Sequence, residues 1–495
     1  MLQNRTSNKQ FKKPRTFDRN IIVIGGGSAG LVTAYIAAAV KAKVSLIEQH
    51  KMGGECLNTG CVPSKALLRT ARLLQDIKNA KLLGIESASA NFEFADVMQR
   101  IQRIINTIAP HDSVERYGKL GVDCIQGRAS VVSPYEVEVN SNVLRTKNIV
   151  IATGANPFIP PIEGIENTNY LTSENIWQLQ RRPERMIILG GGPIGCELSQ
   201  AFTRMGSKVT QVEMLPRLMS REDEDVSELI QKNLANEGVN ILTSHKAKQI
   251  VTRENVNILI CENLSTHEDI SLEFDEILIA VGRKANTDNL GLYEVGVELN
   301  KNGTVLVNQY LQSSVPNIYA CGDVAGPYQF THTASHQAWY CAVNALFGTF
   351  KKFKADYSII PWATFTDPEV ARVGLNTAEA KEKNIPHEVT VFPLEELDRA
   401  ITDSETQGFI KVLTKPGKDK ILGATIVGAH AGELITEFIT AMKHGIGLNK
   451  ILGTIHIYPT FSEANKYAAG AWKRAHAPEK ILKLLERFHG WRLGS

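Results

Sequence analysis

The chain has 495 residues, 43% of them hydrophobic and 22% charged, which is the make-up of a globular protein with large cores. That length suits about three domains. Its 55 basic and 52 acidic residues leave a formal net charge of +3, which gives nucleic acid no claim as the main partner, and its seven cysteines are too few and odd in number for a disulfide scaffold.

The first twenty residues hold Arg5, Lys9, Lys12, Lys13, Arg15 and Arg19 with no apolar run among them. They read as a solvated basic tail over residues 1–19 rather than a secretory or targeting signal. Residues 21–40 carry no charge and have the length of a membrane span. Gly25, Gly26, Gly27 and Gly30 divide that stretch into a strand, "IIVIG", and an Ala-rich helix, so a strand–turn–helix is expected. The expected location is the cytoplasm, where a surviving disulfide is usually catalytic. Gly25 permits a tight turn, Gly27 lets the backbone approach a pyrophosphate, and Gly30 lets the helix pack on the strand. The next strand ends in Glu48, placed to accept hydrogen bonds from ribose hydroxyls.

Residues 53–65 read "GGECLNTGCVPSK". Zinc sites usually show C-x2-C pairs recurring, with a second pair or histidines completing four ligands, and no second such pair is present. A staple across four residues would add little stability. Cys61 opens an apolar-periodic helix with Pro63 at its start, and a helix N-terminus lowers a thiol's pKa. Lys65 adds positive charge in the same turn. The residues therefore favour a redox pair, Cys56 and Cys61, over a metal site or a structural disulfide. Cys124, Cys196, Cys261, Cys321 and Cys341 are expected to be single, small buried hydrophobes.

Residues 92–120 have helical periodicity broken near Pro110, and "VEVNSNVLRTKNIVIATG" reads as strands. The plan of the first unit then recurs in "MIILGGGPIGCELSQAFTRMGSKVTQVEM" with Gly190, Gly192, Gly195 and Glu213. The first motif glycine precedes its glutamate by 23 positions in both units. One GxGxxG is weak evidence, but two in strand–turn–helix context with equal spacing indicate two bound dinucleotides. A carboxylate at Glu213 suits a free 2′-hydroxyl, so NADH is expected over NADPH, although Arg217 lies near enough to offset it. "VPNIYACGDVAG" gives a strand ending at Gly322 and Asp323. From about residue 357 the pattern becomes that of a separate α+β domain.

The quoted motifs, with "IATGANP", "IAVGRKANT", "NIYACGDVAG" and "PWATFTDPEVARVG", resemble the pyridine nucleotide-disulfide oxidoreductases over residues 20–470. That family includes glutathione reductase, lipoamide dehydrogenase and mercuric reductase. The resemblance implies an α/β fold of two Rossmann-like units and a C-terminal α+β dimerisation domain. The FAD domain would begin over residues 20–155, the NAD(P) domain would span 156–285, and 286–350 would complete the FAD domain. A dimerisation domain at 351–475 and a helical extension at 476–495 would follow. It implies FAD in the first unit, with Thr153, Gly154, Gly322 and Asp323 among its contacts, and NAD(P)H in the second, with Gly282 nearby. Lys65 would lie near the flavin, paired with Glu197. Cys61 would form the charge-transfer thiolate, and Cys56 the interchange thiol. No resident metal is expected, and the protein would be a homodimer.

Disulfide-reducing members carry "HPTxxE", whose His is the acid–base catalyst. Here the stretch is "TIHIYPTFSEANK": Glu463 is present, but Tyr458 holds the histidine's place. His456, two residues earlier, is expected to be a structural His rather than a substitute base. A phenol titrating near 10 is a poor base at neutral pH, whereas soft metal ions need only thiolate donors. Mercuric reductases also place Tyr here, so the sequence resembles that branch, with a soft metal or unusual acceptor. It lacks their C-terminal vicinal cysteines and an N-terminal C-x-x-C. A dihydrolipoyl dehydrogenase-type enzyme is the alternative, and a membrane-associated NADH:quinone reductase the third reading. In the extension, Ile481, Leu482, Leu485 and Phe488 share a helical face with Lys480, Lys483, Arg487 and Arg492 elsewhere. Packing on the parent dimer is expected there in preference to a membrane surface.

Overall fold

The computed structural model describes residues 11–494, so Arg5, Lys9 and the first part of the basic tail lie outside the described residues. The opening apolar run forms the strand Arg19–Ile24, with Ile21, Ile22 and Val23 fully buried. Val44–Glu48 and Val122–Gln126 lie parallel on one side of it, Asn142–Ile151 and Ile318–Ala320 on the other. The helix Ser28–Ala39 buries small residues, Ala29, Gly30, Ala34 and Ala37, and so approaches the sheet closely. The helix Thr331–Phe347 completes this core with Ala334, Ala338 and Cys341. The uncharged stretch is thus a strand and a helix. Among the described residues no helix is long and apolar enough to cross a membrane.

The second unit repeats the arrangement. Asn240–Leu242, Lys208–Val212, Arg185–Leu189 and Glu276–Ile279 lie parallel in that order. In both units the chain order reverses beside the first strand, and doubly wound sheets bind ligands at that switch point. The short strands Ala155–Pro157 and Arg283–Ala285 pair antiparallel and carry the chain into and out of the second unit. The expected helix of residues 92–120 is Phe94–Ile108, then a 3₁₀ turn at Ala109–Asp112, then Val114–Lys119.

The C-terminal part is a five-stranded antiparallel sheet, Pro361–Thr364, Glu369–Gly374, Ile421–Gly428, Phe409–Thr414 and Glu388–Pro393 in spatial order. The helices Ala431–Lys443 and Glu463–Ala475 close its core around Ile410, Ile426, Phe438 and Ala468. Buried charge ties this part to the rest. Arg204, at the end of the second unit's helix, holds Glu237 at 2.7 Å and Asp367 at 2.9 Å. Arg72, on the helix that begins at Cys61, reaches the same Asp367 at 2.7 Å. Removing one partner of such a buried pair costs about 3–5 kcal/mol, so these contacts hold the helices in register with the third sheet.

The extension is the helix Glu479–Arg492; none of its residues is buried within the chain, and Ile481, Leu482, Leu485 and Phe488 remain exposed. Cys196, Cys261, Cys321 and Cys341 are buried, as expected, but one expectation changes. Cys124 is only half-buried; the Cys341 thiol donates to the Ala320 carbonyl at 3.5 Å, and the Cys321 sulfur lies 3.9 Å from the Thr33 hydroxyl.

Candidate active site

Both glycine turns are required by backbone contacts. Gly25 (φ +110°) and Gly190 (φ +117°) occupy a region that L side chains avoid, and a Cβ would lie 2.3 Å from the Ala152 oxygen or 2.4 Å from the Ala280 oxygen. A Cβ on Gly30 would fall 1.8 Å from the Gly25 oxygen, and one on Gly195 2.1 Å from the Gly190 oxygen. Gly192 faces open space, and Gly27 meets only the Gly54 Cα at 3.8 Å. The helices Ser28–Ala39 and Pro193–Arg204 start at these two residues without side-chain caps. Each first turn therefore offers backbone N–H donors and a positive dipole end to an anion, with space for it.

The two glutamates are held alike. Glu48 accepts from the Gly26 and His50 amides at 2.6 Å; Glu213 accepts from Gly191 and, at 2.7 Å, from Leu215. An ionised carboxylate so held keeps acceptor capacity for ribose hydroxyls. Arg217 is turned to its own loop, donating to the Ser220 and Glu222 carbonyls at 3.3 and 3.1 Å. Thr153 and Gly154 follow the strand Asn142–Ile151, and Gly322 and Asp323 closely follow Ile318–Ala320, on the same edge of the sheet as Gly25. Gly282 follows Glu276–Ile279 on the corresponding edge of the second sheet. The residues present fit two dinucleotides.

The thiols are docked on the first cradle. Cys56 lies in the helix Gly54–Asn58, and Cys61 is the first residue of Cys61–Lys78. Gly54 (φ +58°) packs so closely that a Cβ would stand 2.6 Å from the Gly27 Cα. Both cysteines are free thiols. The hydrogen bond from Cys56 is the largest influence on Cys61, outweighing burial; Thr331, whose hydroxyl is 3.4 Å from the sulfur, and Lys65 act in the same direction. The Cys61 thiol is thereby lowered to about 6, while the same bond and burial raise Cys56 well above the ordinary range. The opposite shifts favour Cys61 over Cys56 as the seat of a thiolate.

Lys65 Nζ lies 2.8 Å from a buried Glu197 carboxylate oxygen. The other Glu197 oxygen accepts from the Phe365 amide at 2.8 Å, and Lys65 stands over the Phe365 ring at 4.4 Å. The first turn of the thiol helix is thus fixed by the second unit and the third sheet together.

Tyr458 stands apart from this cluster. Its side chain is 65% exposed, the large side chains of Ile455 and Ile457 just before it are exposed too, and its hydroxyl donates to Asp398 at 3.1 Å. Glu463 is buried and accepts weakly from the Thr460 amide at 3.4 Å. His456 is engaged at both ring nitrogens, Nδ1 by the Thr454 carbonyl at 3.1 Å and Nε2 by Glu437 at 3.1 Å. Among the described residues neither Tyr458 nor Glu463 bonds Cys56 or Cys61 within the chain. Thr331, Asp398 and the Glu55–Arg283 pair were not singled out from sequence. Glu55 and Arg283 lie inside the quoted motifs, but their meeting is tertiary.

Family models describe residues 19–338 as pyridine nucleotide-disulphide oxidoreductase and residues 360–469 as the dimerisation domain of the same group. The chain belongs to this family. It is 35% identical over 450 residues to mercuric reductase of Lysinibacillus sphaericus, covering 91% of this chain and 82% of that protein. It is 34% identical over 469 residues to dihydrolipoyl dehydrogenase of Chlamydia pneumoniae, covering 94% and 98%. The HOCl-induced flavoprotein disulfide reductase RclA from Escherichia coli, solved as a Cu(II) complex, superposes with a TM-score of 0.81 at 28% identity, covering 92% of this chain and 99% of that one. The protein is an FAD-dependent pyridine nucleotide-disulfide oxidoreductase with NAD(P)H as electron donor, and its dimerisation domain supports a homodimer.

Proposed function

We propose that this oxidoreductase uses NADH to reduce the Cys56–Cys61 pair, and that the dithiol in turn reduces an acceptor of the mercuric reductase kind, a soft metal ion or another acceptor that needs no histidine base. One observation carries the choice of acceptor: Tyr458 stands where disulfide reducers hold their histidine. Its bond to Asp398 raises its pKa further from neutrality, so it serves poorly as a base. His456 is occupied at both nitrogens, which supports a structural role.

FAD, when bound, supplies the two-electron link between nicotinamide and disulfide. The first helix N-terminus, Glu48 and Asp323 would hold it, with Thr153, Gly154 and Gly322 beside it and Lys65 facing its ring system. The second N-terminus, Gly282 and Glu213 would hold the nicotinamide nucleotide. The engagement of Arg217 by its own loop supports NADH. Cys61 would keep the thiolate nearest the flavin, and Cys56 would meet the acceptor.

A dihydrolipoyl dehydrogenase activity is the second reading, favoured by Glu213 and opposed by Tyr458; the working dithiol opposes quinone reduction. Steady-state rates with NADH against Hg(II), lipoamide, glutathione disulfide and quinones separate them. Hg(II) is expected to lead, and family-typical lipoamide turnover would overturn the proposal. The thiol roles have their own signature. Two-electron reduction should give a long-wavelength thiolate band that fades as pH falls through about 6. Cys61→Ser should abolish the band, and Cys56→Ser should show it without reductant. The reverse spectra would reverse the assignment.

A further inference from the structure

Glu55 immediately precedes Cys56, and its carboxylate receives both prongs of the Arg283 guanidinium, Nη1 to Oε1 and Nη2 to Oε2. Arg283 is the first residue of Arg283–Ala285, the strand on which the chain returns from the second nucleotide unit. Its Nη2 also donates to the Ala155 carbonyl at 2.5 Å, and its Nε lies 3.4 Å from Asp323. The arginine side chain is only 14% exposed. One nearly buried cation therefore joins the thiol-bearing helix, the crossover between the two units, and an aspartate of the first cradle. A two-pronged contact of this kind is specific to a planar guanidinium.

Holding a short helix on a strand does not require charge, and burying an ion pair carries a desolvation penalty. The charge has an electrical effect on the site. Glu55 and Lys65 act on Cys61 with opposite sign, and Glu55 also raises Cys56. Arg283 is faced by Glu55, Asp323 and Glu174, and Glu174 by Glu55, Arg283 and His50. With its partner in place, the charge of Glu55 beside the dithiol is partly offset; without it, a bare carboxylate stands beside Cys56.

We infer that Glu55 and Arg283 are a positioning pair for the redox step, fixing the Cys56 helix on the returning strand and balancing the charge beside the dithiol. The inference rests on the reading of Cys56–Cys61 as the working dithiol.

The test uses two-electron-reduced holoenzyme. The pH midpoint of thiolate formation is read from the long-wavelength band and from iodoacetamide alkylation of Cys61, followed by mass spectrometry. Glu55→Gln removes a negative charge and leaves Arg283 under-compensated, so the midpoint should fall by about half a pH unit or more, roughly threefold in thiolate on the acid side. Arg283→Lys keeps a cation but gives up the two-pronged contact, so the midpoint should rise. Shifts of opposite sign are not produced by loosened packing. A parental midpoint in either flavin-replete variant, or shifts of the same sign in both, overturns the inference. If Glu55→Gln loses its flavin, Arg283→Lys alone decides. A parent enzyme with no thiolate band at any pH would instead overturn the dithiol reading.

Discussion

The two glycine cradles and the face around Tyr458 are built on opposite principles. In the cradles the backbone would do the binding, and each motif glycine either avoids a clash or opens a space. The same short bonds recur at Glu48 and Glu213, 165 residues apart in sequence. Around Tyr458 the side chains act and the backbone only presents them: Ile455, Ile457 and Tyr458 project from the surface, tethered by one hydroxyl bond to Asp398. A backbone site tolerates almost no substitution and so keeps its cofactor chemistry. A side-chain site can exchange one residue and change acceptor class while the fold remains.

The sharpest way to break this contrast is to add one methyl group to each cradle. Gly30→Ala should prevent flavin retention, because its Cβ meets backbone only 1.8 Å away, where no side chain can give way. Gly195→Ala places the same atom 2.1 Å from a carbonyl in the second cradle. It should keep its flavin spectrum and lose reduction by NADH, measured anaerobically in a stopped-flow instrument. Equal flavin loss in both would show that the two cradles are not independent.

The other side of the contrast is tested by Tyr458→His, which offers Glu463 an imidazole partner in the dimer. Lipoamide reduction at neutral pH should rise about 10²-fold, the low end of what a positioned acid–base group contributes, because the surroundings include Asp398 and were not shaped around a His. Flavin reduction by NADH should stay at the parental rate, and Hg(II) reduction should stay level or fall. If the parent already reduces lipoamide well and the substitution slows it, His456 becomes the candidate base, and His456→Ala should then be the damaging change.

What was legible in sequence follows the same division. The cradles could be read because φ > 0 and close backbone approach leave glycine as nearly the only choice, and glycine spacing is visible in a string of letters. The placing of Cys61 at a helix start could be read because that helix follows it directly. The Lys65–Glu197 pair came through family resemblance, since nothing local joins positions 132 residues apart. Thr331 on Cys61, Asp398 on Tyr458 and Arg283 on Glu55 were out of reach, because each is a meeting of distant segments whose residue types are unremarkable alone.

The smallest expected effect lies at the edge of the second cradle, where a side chain modifies a backbone site. Glu213 is anchored by the Gly191 and Leu215 amides, so its charge is fixed where a ribose would lie, and a 2′-phosphate there would be repelled. Glu213→Arg removes the ribose acceptor and the repulsion together. The ratio of kcat/KM for NADPH over NADH should rise at least about tenfold, equivalent to about 1.4 kcal/mol of differential transition-state binding. A change far above tenfold is not expected, because the two loop amides lose their acceptor and Arg217 stays bound to the Ser220 and Glu222 carbonyls, unable to add a second phosphate contact without leaving them. Adding Arg217→Ala to the Glu213→Arg background should therefore leave the ratio nearly unchanged. A further large loss of NADPH activity would mean that Arg217 leaves its loop to meet the phosphate. An unchanged ratio in Glu213→Arg itself would mean that this carboxylate, unlike Glu48, only ties down its own turn.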